Sequence, residues 1–279
     1  MASDVSACIS VIIVSYNVRE LLLRCVDSAL AQDLGPHDVE VIVVDNASED
    51  DSADAVRRRF PEVQVIDMGG NFGFSRAVNR GAKEARGDRL LLLNPDARLG
   101  PGALAALDRR LRGVPWCGAV GARQVDSQGF FQLAVGPKVG LTRELGRKLV
   151  QSRLDRSDGR MARWLDARLS KPGPVPWAAA SCLLVTRDAF AAVEGFDEEF
   201  FLYFEDIDFC LRLGQRGYSI WYDPSVTVVH ERGRSAARVR GEAAQAYRES
   251  QRRFWQKHGR RWQSLVVAGY LGAKALWNG

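Results

Sequence analysis

The chain has 279 residues, of which 46% are hydrophobic and 26% are charged, with a formal net charge of +5. This hydrophobic content lets a chain of this length bury a core of ordinary size, which argues against a disordered protein. No stretch reaches the ~20 apolar residues that a spanning helix needs, and the apolar run from Ile9 to Val14 is too short for a signal peptide. We therefore expect a soluble or peripheral protein that is not exported.

The five cysteines are odd in number, far apart in the sequence and set among apolar residues. They are Cys8, Cys25, Cys117, Cys182 and Cys210. Neither a disulfide framework nor a paired metal motif has this pattern. It predicts reduced, buried thiols, which are typical of a cytoplasmic protein.

The positive charge is concentrated in the C-terminal segment. From Arg232 onward, eleven Lys and Arg residues stand against Glu242 and Glu249. The aromatic residues interleaved there include Trp255, Trp262, Tyr270 and Trp277. We expect this segment to lie on the inner face of the cytoplasmic membrane, against anionic lipid headgroups. Its charge also fits nucleic acid, but no recognised nucleic-acid-binding motif accompanies it, and its aromatic cluster equally fits a homodimer contact.

Over the first hundred residues, apolar runs rich in β-branched residues alternate with helical patterns. The predicted strands are Ile9 to Ser15, Val39 to Asp45, Val63 to Asp67 and Arg89 to Leu93, and the predicted helices are Arg19 to Ala31, Ser52 to Phe60 and Ser75 to Ala85. This alternation is typical of β-α-β units with a parallel sheet. We expect an α/β fold with a mixed, mainly parallel central sheet and helices on both faces.

The pattern is different after Pro95. It predicts a helix at Gly102 to Arg112, strands at Cys117 to Ala122, Tyr218 to Tyr222 and Val226 to His230, a hairpin through Phe130 to Val135, and a loop that becomes a helix over Phe196 to Leu213. The segment from Lys138 to Pro176 is basic, polar and bounded by prolines, and we interpret it as an insertion near the site. The expected division is a main domain over residues 1–230 and a basic, aromatic helical tail over residues 231–279.

The first polar motif is Val44-Asp45-Asn46-Ala47-Ser48, at the end of the second predicted strand. A carboxylate there can accept the N3–H of a uracil or thymine ring, as the acidic residue after the second strand of a dinucleotide-binding fold holds a ribose. The alternative is that Asp45 merely ends the strand and that Ser48 or Asp50 caps the next helix.

The second motif runs from Asn71 through Gly73 to Arg76 and opens a helix. A glycine-containing turn at this position offers backbone N–H groups to an anion, and Arg76 adds positive charge suited to a diphosphate. The alternative is an ordinary loop in which Ser75 caps the helix.

The third motif, Leu93-Asn94-Pro95-Asp96, follows an apolar strand. The rigid proline holds Asn94 and Asp96 at a fixed spacing, and their oxygen atoms suit Mg²⁺ or Mn²⁺ bound mostly through substrate phosphates. A plain turn has a similar composition. The convergence of three polar turns on one sheet edge favours a shared ligand site.

The fourth motif places Glu205, Asp206 and Asp208 within four residues, among aromatic and apolar neighbours. Such carboxylates repel one another, and one whose pKa is raised can take a proton from an attacking hydroxyl. The alternative is a helix N-terminus whose acids complement the dipole, which applies to Asp208 in particular.

His230 ends the last predicted strand. A lone histidine there is more often packed or solvated, but beside Asp96 its imidazole suits Mn²⁺.

Together these motifs resemble the family 2 inverting glycosyltransferases of the GT-A fold, and within them the bacterial branch of rhamnosyltransferases and galactofuranosyltransferases. The matching segments are VSYN at Val14 to Asn17, VDNAS at Val44 to Ser48, NFGFSRAVNRG at Asn71 to Gly81, LNPDA at Leu93 to Ala97, and GFDEEFFLYFEDIDFCLR at Gly195 to Arg212. They follow the family's order from Ile9 to about His230. The resemblance implies a Rossmann-like domain that binds nucleoside-diphosphate sugars.

The resemblance also implies roles for individual residues. The implied donor-binding residues are Ser15, Tyr16, Asn17, Asp45, Asn71, Gly73, Arg76 and Asn94. The implied metal ligands are Asp96 and His230. The implied catalytic residue is Asp206, with Glu205 beside it, and the implied acceptor contacts are Glu205, Trp177 and Ser181. The family's metal motif is usually written Asp-x-Asp, and Asn94 replaces its first acid here. This replacement leaves less negative charge for the metal.

The implied reaction is a single displacement with inversion at the anomeric carbon. Mn²⁺ or Mg²⁺ and Arg76 would stabilise the departing diphosphate while Asp206 deprotonates the acceptor hydroxyl. The branch favours dTDP-rhamnose as the donor, with UDP-sugars as alternatives. The acceptor is expected to be a glycan or a polyprenyl-diphosphate-linked sugar of cell-envelope synthesis.

Two other classes of protein share some of these motifs. A nucleotidyltransferase has a similar sheet and metal, but it carries a Gly-rich loop with Arg and Lys after its first strand, which Val14 to Arg19 lacks. A non-catalytic nucleotide-sugar-binding subunit would be expected to have lost Asp96 or the Glu205-Asp206 pair, and both are present. A dehydrogenase is disfavoured because no G-x-G-x-x-G follows the first strand.

Overall fold

The computed structural model describes residues 8–35, 38–155, 159–231 and 240–277. Positions 1–7 of the predicted main domain, 156–158 of the predicted insertion, and 232–239 and 278–279 of the predicted tail lie outside the described residues, as do positions 36–37.

Strands and helices alternate along the described chain. The strands are β1 Ile9–Ser15, β2 Val39–Asp45, β3 Gln64–Asp67, β4 Arg89–Leu93, β5 Ala97–Leu99, β6 Cys117–Val125, β7 Phe131–Gln132, β8 Val135–Gly136, β9 Gly173–Pro174, β10 Trp177–Ala178, β11 Cys182–Thr186 and β12 Ser219–His230. The helices are α1 Arg19–Leu30, α2 Ser52–Arg59, α3 Phe74–Glu84, α4 Ala103–Gly113, α5 Leu141–Asp155, α6 Gly159–Arg168, α7 Arg187–Ala192, α8 Glu205–Gln215, α9 Arg240–His258 and α10 Arg261–Trp277.

The central sheet has the strand order β3-β2-β1-β4-β11-β6-β12-β5. Strands β3, β2, β1 and β4 are parallel to one another, and β6 is parallel to β12. Strand β11 is antiparallel to both of its neighbours, and β5 is antiparallel to β12. The sheet is therefore mixed and mainly parallel, as the sequence predicts.

Alternate residues of the buried strands face two separate apolar clusters. On β1, Ile12 and Val14 belong to one cluster, whereas Val11 and Ile13 belong to the other. The first cluster includes apolar residues of α3, α7, α8 and α9, and the second includes residues of α1, α2 and α4. Helices thus cover both faces of the sheet, which is why β1, β2 and β4 each contain a run of four consecutive apolar residues.

Two details of the predicted elements are wrong. The expected strands at Tyr218 to Tyr222 and Val226 to His230 are one strand, β12, whose pairing with β6 is interrupted only between Asp223 and Thr227. The interruption includes Pro224, which has no N–H to give to a ladder. The short strand β5 is absent from the prediction because three residues carry almost no periodic signal.

The predicted insertion is largely helical, and the predicted tail is held against the main body. Arg123 of β6 donates from Nε and Nη2 to the two carboxylate oxygens of Asp166 on α6, at 2.6 Å each. Phe254 and Trp255 of α9 are buried in the cluster that also contains α8. In the described part of the chain, no helix is both long enough and apolar enough to cross a bilayer.

Gly81 lets α3 pack directly on the sheet. A Cβ at this position would lie 2.7 Å from Ile12 Cγ2 and 3.0 Å from Val44 Cγ2, which is closer than carbon atoms pack. A larger residue at position 81 would therefore push α3 away from the sheet.

We predict that Gly81→Ala lowers the free energy of unfolding by about 1–3 kcal/mol, because overpacking outweighs the better helix propensity of alanine. The matched control is Gly214→Ala on α8, where a Cβ meets nothing within 4 Å, and it should stabilise by roughly 0.5–1 kcal/mol. Urea unfolding of both variants checks this. Equal stabilisation by the two substitutions would contradict the packing argument.

Candidate active site

The carboxyl ends of β1 and β2 meet at one edge of the sheet. The backbone N–H of Asn46 donates to the carbonyl of Ser15 at 2.9 Å, directly after the paired residues Ser15 and Asp45. The Ser15 hydroxyl and the Asn46 Oδ1 are buried and have no hydrogen-bond partner among the described residues, and the same is true of Ser75 Oγ in the first turn of α3. Because buried polar atoms are normally paired, these three atoms are suited to hydrogen-bond with a ligand at this edge of the sheet.

The carboxylate of Asp45 is buried and contacts Ser48. It accepts from the Ser48 N–H at 2.8 Å and from the Ser48 hydroxyl at 2.6 Å. The Ser48 Oγ in turn accepts from the backbone N–H of Asn17 at 2.9 Å, while the Asn17 Oδ1 accepts from Glu49 N at 2.7 Å. Ser48 therefore links the loops after β1 and β2, and Asp50, not Ser48, accepts from the N–H of Ser52, the first residue of α2.

The loop before α3 lies between β2 and the segment before α8. The N–H of Phe74 donates to the Phe201 carbonyl at 2.8 Å, and Asn46 Nδ2 donates to the Gly73 carbonyl at 3.2 Å. Gly73 has a φ of +85°, and a Cβ on it would lie 2.4 Å from the Phe201 oxygen. Glycine is therefore required at position 73 both by the dihedral angle and by the close approach of the backbone.

The other donor-binding candidates differ in exposure. Asn71 is exposed and accepts the N–H of Gly73 on its Oδ1 at 3.2 Å, which closes the turn. Arg76 is also exposed, with its Nε 3.6 Å from the Glu198 carboxylate. Tyr16 is partly exposed beyond the end of β1.

The antiparallel pairing of β5 with β12 brings His230 next to the turn after β4, because His230 is paired with Ala97. His230 Nε2 lies 3.1 Å from Asp96 Oδ1 and 3.3 Å from Asn94 Nδ2. Both members of the Asp96–His230 pair are buried. These three predicted residues, which are distant in sequence, thus lie in direct contact.

The chemistry and spacing of this group fit a divalent cation. Two ligand atoms at right angles around an ion such as Mg²⁺, each at 2.0–2.1 Å, are about 3 Å apart, which matches the Asp96–His230 contact. Imidazole and carboxylate are ligands that Mn²⁺ accepts. Within residues 8–35, 38–155, 159–231 and 240–277, no group of three or more His, Cys, Asp and Glu side chains suits a metal ion. A cation here would therefore take its remaining ligands from a substrate or water.

The two acids at the start of α8 have different surroundings. Glu205 is buried, its Oε2 has no partner among the described residues, and burial together with the charge of Asp206 raises the pKa of Glu205 well above its usual value. Asp206 is partly exposed, and its Oδ1 accepts from the N–H of Ile207 at 2.8 Å. Environments that separate two adjacent carboxyl groups in this way are typical of acid–base sites.

The backbone that presents these acids has an unfavourable conformation. Tyr203 and Phe204, immediately before Glu205, both have left-handed backbone angles, with φ of 71° and 66°. Non-glycine residues adopt this conformation only where surrounding contacts impose it, and such positions cluster at functional sites. Here α9 supplies the contacts: Ser250 Oγ donates to the Leu202 carbonyl at 2.8 Å, and the Phe254 ring lies 5.3 Å from Phe204.

Asp208 holds α9 against α8. Its buried carboxylate lies 2.7 Å from Arg212 Nε, 2.8 Å from Lys257 Nζ and 2.7 Å from His258 Nε2. Despite burial, which acts in the opposite direction, the hydrogen bonds from His258 and Lys257 and the charge of Arg212 lower the pKa of Asp208 to about 2. The prediction that Asp208 complements the helix dipole misses these three partners, because Lys257 and His258 are far away in the sequence.

The predicted acceptor-binding residues Trp177 and Ser181 are both buried. The Trp177 indole N–H donates to the Pro137 carbonyl at 3.1 Å, and the Ser181 hydroxyl lies 2.7 Å from Nε2 of Gln124. Gln124 is absent from the predicted site. Its signal in the sequence is a polar amide near the end of the mainly apolar strand β6, next to Arg123.

An open apolar depression lies beside the start of α8. It is shallow, and it is lined by Pro137, Lys138, Val139, Arg143, Trp177, Phe204 and Ile207. The lining is apolar apart from the two basic side chains, so the depression suits an apolar group that carries negative charge.

Comparison with known proteins identifies the family. The model of "Glycosyl transferase family 2" matches residues 10–163, and that of "Glycosyl transferase family group 2" matches residues 122–279. The N-acetylglucosaminyl-diphospho-decaprenol L-rhamnosyltransferase of Mycobacterium tuberculosis is 31% identical over 250 residues, which cover 85% of this chain and 81% of that protein. The chain belongs to glycosyl transferase family 2. Its similarity to that enzyme agrees with the rhamnosyltransferase branch that the motifs indicate.

Solved structures of glycosyltransferases have the same fold as this family 2 chain. A mannosyltransferase from Pyrobaculum calidifontis, in complex with GDP-Man and Mn²⁺, superposes with a TM-score of 0.58 at 18% identity, over 96% of this chain and 80% of that one. GalNAc-T7 with UDP, GalNAc and Mn²⁺ also gives a TM-score of 0.58, at 16% identity, over 82% of this chain and 44% of that one. The GT-A fold expected from the motifs is confirmed.

We predict that the contribution of Asp208 to stability depends on pH. A carboxyl group whose folded-state pKa is depressed from 3.8 to about 2 stabilises the fold above pH 3.8 and loses this effect as the pH falls towards 2. Asp208→Asn should therefore cost roughly 2 kcal/mol at neutral pH, and the difference from the wild type should shrink below pH 4. Calorimetric melting of the wild type and the variant at several pH values measures this difference in stability. A difference that stays constant with pH would contradict the role of the Asp208 charge.

Proposed function

We propose that this family 2 glycosyltransferase is a metal-dependent, inverting enzyme that transfers rhamnose from dTDP-rhamnose to a hydroxyl group of a lipid-linked acceptor in cell-envelope glycan synthesis. The observation that carries the proposal is the contact of Asp96 with His230 beside Asn94, at the sheet edge where the loops of the donor-binding motifs end. The M. tuberculosis relative, named as a rhamnosyltransferase acting on a diphospho-decaprenol-linked sugar, supports the sugar and the acceptor class.

The donor nucleotide binds at the ends of β1 and β2 in this proposal. Asp45 accepts the N3–H of the base with lone pairs that its two bonds to Ser48 leave free. The diphosphate lies against the loop that contains Gly73, where the N-terminus of α3 and Arg76 supply positive charge. UDP-sugars present the same N3–H and are the alternative donors.

Asp96 and His230 would hold Mn²⁺ or Mg²⁺, with Asn94 beside them. The chemistry that the cation would supply is positive charge against the departing diphosphate. Asp206 takes the proton of the acceptor hydroxyl, since it is the partly exposed member of the acidic pair. Glu205, whose pKa is raised by burial and by the charge of Asp206, lies beside it and contacts the acceptor.

The acceptor approaches through the depression that Trp177 and Phe204 line. Its apolar walls suit the first units of a polyprenyl chain, and Lys138 and Arg143 suit a diphosphate. This arrangement brings a lipid-linked sugar next to Glu205 and Asp206, because Phe204 immediately precedes Glu205 in the chain.

The test is donor hydrolysis by the purified protein with a panel of dTDP-, UDP- and GDP-sugars, with and without Mn²⁺ or Mg²⁺. We predict metal-dependent turnover of a dTDP- or UDP-sugar. Asp96→Ala and Asp206→Asn should each reduce kcat by at least about 100-fold. Asp54→Asn, an exposed acid on α2, is the control that should leave turnover unchanged. Turnover that needs no metal, or that survives in Asp206→Asn, would contradict the mechanism.

The membrane surface is the proposed location of the enzyme, and α10 is the element that contacts it. Four large apolar or aromatic side chains of this helix are exposed, and they are Trp262, Leu265, Val266 and Tyr270. Arg260 and Arg261 lie at the start of the same helix. An apolar face with aromatic residues and flanking cations is typical of helices that lie in the interface of anionic membranes.

We predict that the protein floats with vesicles containing phosphatidylglycerol in a density gradient, and that the double variant Leu265→Glu/Val266→Glu does not, because buried apolar contact is lost. Trp116→Gln removes an exposed tryptophan before β6 and should float like the wild type. If the double variant still floats but changes from dimer to monomer in light scattering, α10 forms a homodimer contact instead.

A further inference from the structure

We propose that Gln124 is a positioning residue that fixes the tautomer of His230, so that the Nε2 lone pair of His230 is directed towards Asp96. This inference rests on the proposed metal dependence and extends it to a side chain that touches neither substrate nor metal. It stands on a continuous chain of buried hydrogen bonds on the far side of the imidazole.

Gln124 is 1% exposed and contacts the imidazole nitrogen that faces away from Asp96. Its Oε1 lies 3.0 Å from His230 Nδ1. An amide oxygen only accepts hydrogen bonds, so this contact requires a proton on Nδ1. A neutral imidazole with its proton on Nδ1 has its lone pair on Nε2.

A second contact independently favours the same tautomer. The Asn94 amide nitrogen, which only donates, lies 3.3 Å from His230 Nε2. It can donate to a lone pair on Nε2 and would clash with a hydrogen there. Asp96, at 3.1 Å from the same nitrogen, acts in the opposite direction because a carboxylate attracts a proton onto Nε2. The contact with Gln124 therefore favours the tautomer with the proton on Nδ1 over the tautomer with the proton on Nε2.

Ser181 contacts both ends of the Gln124 amide. Its hydroxyl lies 2.7 Å from Gln124 Nε2 and 3.0 Å from Oε1, so it anchors the amide group beside the imidazole. The Ser181 carbonyl also accepts the backbone N–H of Asn94 at 3.0 Å. The same residue thus connects the support of His230 with the turn that carries Asn94 and Asp96.

The backbone of His230 is fixed as well. Its carbonyl accepts from Gln132 Nε2 at 2.9 Å, and the N–H of Glu231 donates to the Asp96 carbonyl at 2.9 Å. Ring rotation is therefore the remaining freedom of this side chain, and the Gln124 contact restricts it. Supporting hydrogen bonds of this kind orient metal-binding histidines and affect metal affinity about 10- to 100-fold.

The experiment measures Mn²⁺ binding by electron paramagnetic resonance, in the presence of dTDP, for the full chain and four variants: Gln124→Met, Gln124→Glu, His230→Ala and the double variant His230→Ala/Gln124→Met. Gln124→Met keeps the length of the side chain but loses the acceptor, and we expect its Mn²⁺ affinity to be about 10- to 100-fold lower than that of the wild type. Gln124→Glu keeps an oxygen acceptor and should bind at least as tightly as the wild type. In a His230→Ala background, Gln124→Met should have no further effect, because Gln124 acts through the imidazole.

The second readout needs neither metal nor activity. Long-range ¹H–¹⁵N NMR of the metal-free protein at pH 8 should assign a protonated-type shift to Nδ1 of His230 and a lone-pair-type shift to Nε2, and Gln124→Met should transfer the proton to Nε2. Unchanged Mn²⁺ affinity in Gln124→Met, an equal loss of affinity in the His230→Ala background, or a wild-type ring protonated on Nε2 would each overturn the inference. If the wild type binds no Mn²⁺ with dTDP, the proposed metal dependence fails as well.

Discussion

The contact between the Asp96 carboxylate and the His230 imidazole depends on how the sheet is assembled. Asp96 follows β4, an inner strand of the parallel half, whereas His230 ends β12, which lies three positions away in the strand order. The two are joined because β5 folds back from the turn after β4 and pairs with the end of β12. A three-residue strand therefore creates the site, and Gln124 reaches the imidazole from the neighbouring strand β6.

A second constraint concerns the acidic start of α8. Left-handed residues before Glu205 cost on the order of 1–3 kcal/mol each, so the segment keeps its conformation only if neighbouring elements stabilise it. The Gly73 loop does so on one side through the Phe201 carbonyl, and α9 does so on the other through Ser250, Phe254 and the ion pairs of Asp208. Helix α9 is thus part of the support of the proposed catalytic acids, although the composition of this segment suggests only a basic tail.

The sequence predicts the parallel half of the sheet and its polar edge well, because β1, β2 and β4 are continuous apolar runs followed by polar turns. It also indicates Asp96 and His230 separately. Their contact could not be derived from periodicity, because it depends on β5, whose three residues lack a pattern. Gln124 and two partners of Asp208, Lys257 and His258, were missed for a related reason: each is defined by a neighbour distant in sequence. Ser181 illustrates the limit, since its position near the site follows from the motif but its bond to Gln124 does not.

In the proposed mechanism, Asp96 and His230 would hold a divalent cation whose positive charge acts on the diphosphate of the donor. The most direct measurement is the affinity of the protein for Mn²⁺ with and without dTDP, by electron paramagnetic resonance. Since the described residues contain no group of three or more His, Cys, Asp and Glu side chains that suits a metal ion, Mn²⁺ should bind at least about tenfold more tightly when dTDP is present, and the increase should disappear in Asp96→Ala. Equal affinity with and without dTDP, or tight binding that persists in Asp96→Ala, would contradict the account.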